Sequence, residues 1–158
     1  MKPDDWSNIA YLLGGFYLLL NFSPVPGIAL ILLALGSYLA HVHGGKWWTA
    51  DWVGMYLTFS AVAIHNFGLS WLWLIPVAGV AYKWGTENYF LFAGFVFAGI
   101  LSAFLAGVAI WLPLILFAVG FACQRYAEAA EDHNSLRYQI FHSLWHPITM
   151  VAIVLLVS

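Results

Sequence analysis

Residues 88–126 read NYFLFAGFVFAGILSAFLAGVAIWLPLILFAVGFACQRY, and how this stretch is divided decides the fold. Apart from Arg125 it is uncharged. As one helix it would run about 58 Å at 1.5 Å per residue. A bilayer's hydrocarbon core is only about 30 Å thick. The chain must therefore turn inside the stretch. The break falls at Leu105-Ala106-Gly107, although no proline or charge marks it.

The rest of the chain is equally apolar. Of 158 residues, 63% are hydrophobic and 8% charged, against roughly 25% charged in an ordinary soluble domain. Bilayer is the natural solvent for such runs. Backbone in lipid must satisfy its own hydrogen bonds, and the runs lack the alternation of barrel strands, so they read as helices. The segments fall at about 7–22, 26–43, 50–66, 69–84, 88–105, 107–126 and 136–157. The expected fold is all-α, a single seven-helix transmembrane domain over residues 1–158. The first run reads as a retained helix, since no cleavage site of small residues follows Lys2.

Charge agrees with seven spans. Lys2, Lys46, Lys83, Arg125 and Arg137 fall at the N-terminus or in the loops after the second, fourth and sixth helices. Seven spans bring them to one face. By the positive-inside rule that face is cytoplasmic, with the N-terminus in and the C-terminus out. Trp6, Trp47, Trp48, Trp52, Trp84 and Trp145 lie near helix ends, as an aromatic belt would. Gly14-Gly15 and residues 94–98, GFVFA, read as seams where helices pack closely.

Composition also excludes functions. Five basic residues make no nucleic-acid surface. Cys123 is the sole cysteine, so neither an internal disulfide nor a cysteine metal cluster can form. No lysine follows Lys83, so the last helix offers no amine for a retinal Schiff base.

Ionisable groups in such a chain are costly and are candidates for function. FHSLWHPI, residues 141–148, carries His142 and His146 four residues apart. LGSYLAHVHGG, residues 35–45, carries Ser37 and His41 at the same spacing. Residues four apart share a helix face. Asp51 opens the third helix. His41 ends the second, and His142 and His146 begin the seventh. Seven spans put all five groups at one membrane face.

Each residue alone has a plainer reading. A histidine near a helix end serves as an interfacial anchor. Asp51 suits a helix N-terminus through the dipole, and Ser37 suits close packing. His65 falls at the opposite face, His43 points away from His41, and Glu128, Glu131, Asp132 and His133 read as a solvated loop. As a set on one face, Ser37, His41, Asp51, His142 and His146 point to function.

Three neutral imidazoles with an open fourth position describe a catalytic zinc site. All-nitrogen ligands leave zinc strongly Lewis acidic, able to bring a water's pKa to about 7. Asp51 can move the proton, and Ser37 can donate to the oxyanion of a tetrahedral intermediate. Haem held by two histidines, or a metal-stabilised receptor without turnover, are the competing readings.

The order SxxxH, then Asp, then HxxxH in the last helix resembles the CREST superfamily of membrane hydrolases. That group includes the alkaline ceramidases and the progestin and adiponectin (hemolysin III-like) receptors. The matching residues are G36-S37-Y38-L39-A40-H41, Asp51 and F141-H142-S143-L144-W145-H146. The resemblance implies a seven-helix bundle with zinc on His41, His142 and His146, and catalytic roles for Ser37 and Asp51. It implies hydrolysis of a membrane lipid's amide bond, or less readily an ester. The calcium-binding acidic segment of alkaline ceramidases has only Asp4-Asp5-Trp6 as its counterpart here.

Overall fold

A computed structural model describes residues 6–130 and 135–158. Lys2, Asp4, Asp5, Glu131, Asp132 and His133 lie outside the described residues. Among those described, the chain is all-helical. The helices are α1 (Ile9–Asn21), α2 (Pro24–His43), α3 (Trp47–Phe67), α4 (Leu74–Val80), α5 (Tyr89–Leu105), α6 (Trp111–Glu128) and α7 (Leu136–Val157). A 3-10 turn, Trp71–Trp73, leads into α4, and a π-helical turn, Ala81–Gly85, leaves it. Two of these, α2 and α7, are long and apolar enough to cross a membrane, while α1 and α5 are apolar but shorter.

The turn expected after Leu105 is present. Gly107 has φ +86°, in the left-handed region that glycine enters without strain. The Val108 amide bonds the Ala103 carbonyl and the Gly107 amide bonds that of Phe104. This paired closure ends a helix without proline or charge. Gly68, at φ +62°, closes α3 in the same way, with Leu69 bonding Ile64 and Gly68 bonding His65.

Helix α7 packs against α1, α3, α5 and α6 with one face and leaves Leu136, Ile140, Leu144 and Val151 exposed on the other. Its buried side chains, Tyr138, His142, His146, Thr149, Ile153 and Leu156, recur at helical spacing along one face. The Ser135 hydroxyl accepts the Tyr138 amide at 3.2 Å and caps the helix, which fixes the phase of that face. Away from the histidines the interior is mostly hydrocarbon, with Leu18, Leu30, Val62, Ile153 and Leu156 fully or almost fully buried beside the hydroxyls of Thr58 and Ser102.

Small residues set the helix spacing. A Cβ on Gly15 would lie 2.9 Å from the Gly27 carbonyl oxygen, and one on Gly27 would lie 2.8 Å from that of Gly15. Gly14 faces Met150. The seam expected over residues 94–98 is displaced: Gly94 faces open space, and Gly99 instead meets the Phe59 backbone of α3. Trp52 also departs from expectation. It is buried against Tyr56, Tyr89 and Phe92 rather than set in an outer belt, because the α3 face it occupies turns toward α5.

Gly36 is the glycine that bears on function. A Cβ there would lie 2.9 Å from the Ala50 carbonyl oxygen and 3.3 Å from the Asp51 nitrogen. Backbone cannot swing aside as a flexible side chain can. Gly36→Ala is therefore expected to force α2 and α3 apart and destabilise the protein by about 1–3 kcal/mol. Gly79→Ala is the control, since a Cβ at Gly79 of α4 meets nothing within 4 Å and alanine is the better helix former. Thermal unfolding of both variants in detergent checks the difference; equal midpoints would refute the close-approach argument.

Candidate metal centre

Two helices deliver the three histidines. His41 lies on the last turn of α2, which Gly44 ends at φ +61°. His142 and His146 lie one turn apart in the first half of α7. His142 and His146 are buried, at 6% and 2% exposure, and His41 is half-buried. One ligand nitrogen from each ring lies within 4.8 Å of the others. The Nε2 atoms of His41 and His142 are 3.1 Å apart.

The donor set fits a metal. Tetrahedral zinc with Zn–N bonds of about 2.0–2.1 Å holds its nitrogens roughly 3.4 Å apart, close to the His41–His142 separation. The far sides of two rings are tied back. His142 Nδ1 lies 2.8 Å from Gln124 Oε1, and His146 Nδ1 lies 2.6 Å from Ser7 Oγ. Such bonds to the second ring nitrogen orient metal-binding histidines and raise their basicity. Stacking adds to this: the Tyr138 ring lies 5.1 Å from His142 at an interplanar angle of 9°. Tyr11 packs 5.2 Å from His146 while its hydroxyl meets Thr149 Oγ1 at 2.7 Å.

Ser37 and Asp51 reach the same place from α2 and α3. Asp51 begins the buried stretch of α3 beside Gly36, the residue before Ser37. Ser37 and Asp51 both line a cavity of about 440 Å³ whose wall includes His142 and His146. That volume lies in the range of small-molecule sites. Apolar side chains, among them Leu33, Met55, Phe92, Phe121 and Trp145, make up much of its lining. It lies between α5, which supplies Tyr89 and Phe92, and α6, which supplies Phe121 and Gln124. Those two helices barely touch each other despite the short turn joining them.

All five residues singled out in the sequence thus meet at one end of the bundle. His43 and His65 do not join them: His43 is exposed beside Trp47, and His65 ends α3 at the far side. Glu128 corrects an expectation. It is no loop residue but the end of α6, where it accepts from Gln124 Nε2 at 3.0 Å and pairs with Arg125 at 2.6 Å. Sequence reasoning passed over Ser7, Gln124 and Tyr138. Of these, Gln124 carried a signal, as an amide in the otherwise apolar VGFACQ turn of α6.

Trp145, expected near a helix end in the aromatic belt, lines the cavity. Pro147 directly follows His146 and removes the amide that would have bonded the Ser143 carbonyl. Thr149 Oγ1 donates back to the Trp145 carbonyl at 2.7 Å within this weakened turn. Compared with protein-family models, curated proteins and solved structures, the chain matches none.

Proposed function

We propose that the chain is an integral membrane protein of seven spans and a zinc-dependent hydrolase of membrane lipids, cleaving an amide bond in preference to an ester. One observation carries this reading. Three imidazole nitrogens lie within 4.8 Å of one another, and two of those rings, His142 and His146, line a cavity with apolar and polar walls that Ser37 and Asp51 also line. The likeness of these residues to the CREST motif supports it further.

The outer surface supports the membrane reading. Phe90, Leu20 and Trp111 are 95%, 79% and 77% exposed, costly in water and natural in lipid. Buried polar groups sit inside instead, which suits a hydrocarbon solvent. Lys46, Lys83, Arg125 and Arg137 lie at the end of the bundle that holds the histidines. The positive-inside rule then sets that end, with the N-terminus, on the cytoplasmic side.

Bound at the three histidines, zinc supplies Lewis acidity that makes a water nucleophilic at neutral pH. The apolar walls hold the acyl chain and set its carbonyl beside the histidines. Asp51 accepts a proton from the attacking water as the new C–O bond forms. It then gives that proton to the nitrogen as the C–N bond breaks, leaving a fatty acid and an amine. Ser37 first holds Asp51 in place. Once Asp51 is protonated it no longer needs that donor, and the Ser37 hydroxyl turns to the oxyanion. No heavy atom has to move, since a hydroxyl hydrogen rotates freely.

Convergence of three rings favours this reading over haem, whose axial histidines face each other across a porphyrin. His41 and His142, at 3.1 Å, stand nearer the nitrogen spacing of a shared tetrahedral ion than that of two axial haem ligands. The Ser37–Asp51 pair in the cavity favours turnover over a metal that only stabilises a receptor. The test uses the purified chain in detergent. One zinc per chain and release of fatty acid from a long-chain ceramide, abolished by chelator and restored by zinc, are expected. Absence of stoichiometric metal, or metal without product from any lipid amide or ester, would overturn the proposal.

A further inference from the structure

We propose that Gln124 and Glu128 of α6 are positioning residues that set the tautomer of His142, so that its Nε2 faces the centre as a bare lone pair. The inference rests on the metal reading for its purpose but not for its geometry.

The order of donors and acceptors is forced from the surface inward. Glu128 Oε2 is ion-paired with Arg125 at 2.6 Å, so the carboxylate is charged and can only accept. Its other oxygen lies 3.0 Å from the Gln124 amide. Gln124 must turn its NH₂ toward Glu128, because its carbonyl oxygen would face a second acceptor. That orientation sends Gln124 Oε1 to His142 Nδ1, at 2.8 Å. A carbonyl oxygen only accepts, so Nδ1 must carry the ring hydrogen. A neutral imidazole has one such hydrogen. In the neutral ring Nε2, 3.1 Å from His41 Nε2, is then the nitrogen without the hydrogen.

Glu128 thus decides the state of a nitrogen two hydrogen bonds away. Without it Gln124 can flip, present its NH₂ to Nδ1 and favour the tautomer that cannot bind a cation through Nε2. The stacked Tyr138 ring fixes the plane of His142 but is indifferent to which nitrogen holds the hydrogen.

The experiment uses the full chain in detergent with isotope-labelled histidine. Ring ¹⁵N shifts of His142 without metal give the tautomer, and competition with a chromophoric chelator gives zinc affinity. The wild type is expected to show bare Nε2. Gln124→Leu removes the acceptor; it is expected to mix the tautomers and weaken zinc binding by roughly 10–100-fold. Glu128→Gln leaves both amides free to flip and should do the same to a smaller extent. The double variant Gln124→Glu with Glu128→Gln exchanges the carboxylate and the amide. It keeps an obligate acceptor on Nδ1 and should restore both readouts. An unchanged tautomer in Gln124→Leu, or a double variant that loses bare Nε2, would overturn the inference. A wild type with bare Nε2 but no zinc would defeat the metal reading and leave the tautomer assignment standing.

Discussion

His142→Ala is expected to leave the protein without measurable bound zinc. The loss should exceed the roughly 10–100-fold that removal of a supporting hydrogen bond costs, because a ligand itself is gone. His142 is the hinge of the tripod: its Nε2 meets His41 and its Nδ1 meets Gln124. Alanine also leaves Gln124 Oε1 without its imidazole partner, so a stability loss of about 1–3 kcal/mol accompanies the change. Two further variants separate metal loss from damage to the fold. His43→Ala alters a neighbouring but exposed histidine and should keep full zinc content. His142→Cys supplies a thiolate, a good zinc ligand, and should recover part of the binding although it fills the space no better than alanine with a sulfur added. Metal content by mass spectrometry reads all three. Zinc retained in His142→Ala would mean that the histidines do not share an ion.

Much of this site was legible before any coordinates, for a physical reason. A four-residue spacing on a helix fixes a common face whatever the surroundings, so His142 with His146 and Ser37 with His41 could be paired from the sequence. Span parity then brought the pairs to one end. Gly107 shows the limit of local signals. Its turn was inferred from bilayer thickness, and the left-handed glycine that makes it was one residue of the inferred break. The partners that hold the site were not legible. Ser7 is 139 residues from His146, and which rotation α1 and α6 take about α7 depends on packing that no periodicity encodes. The same applies to Trp52 and Trp145. Aromatic residues near helix ends suit a lipid interface, but helix rotation sets Trp52 against Tyr89 and Phe92 of α5 and Trp145 at the cavity. Gly94 and Gly99 are both small residues on α5, and only the position of Phe59 on α3 decides which becomes the contact.

Asp51→Asn is expected to keep zinc and lose turnover. Asp51 lies outside the histidine tripod, so metal content should match the wild type. Asparagine has the same shape, and the close α2–α3 approach at Gly36 involves only the Ala50 and Asp51 backbone, so that contact survives. What disappears is the capacity to take a proton from water and hand it to the leaving nitrogen. General acid–base groups contribute roughly 10²–10⁴-fold, and the fall in kcat should lie in that range. Ser37→Ala separates the two parts assigned to the serine. If it only holds Asp51, the double variant should be no slower than Asp51→Asn alone. If its hydroxyl also donates to the oxyanion, Ser37→Ala should cost a further factor of roughly 10²–10³ on the asparagine background. An ester substrate sharpens the comparison, because an alkoxide leaves with less need of a proton than an amine nitrogen does. Asp51→Asn should therefore slow amide cleavage more than ester cleavage. Equal loss on both would remove Asp51 from the protonation of the leaving group and confine it to the water, while full activity on both would remove it from the chemistry altogether.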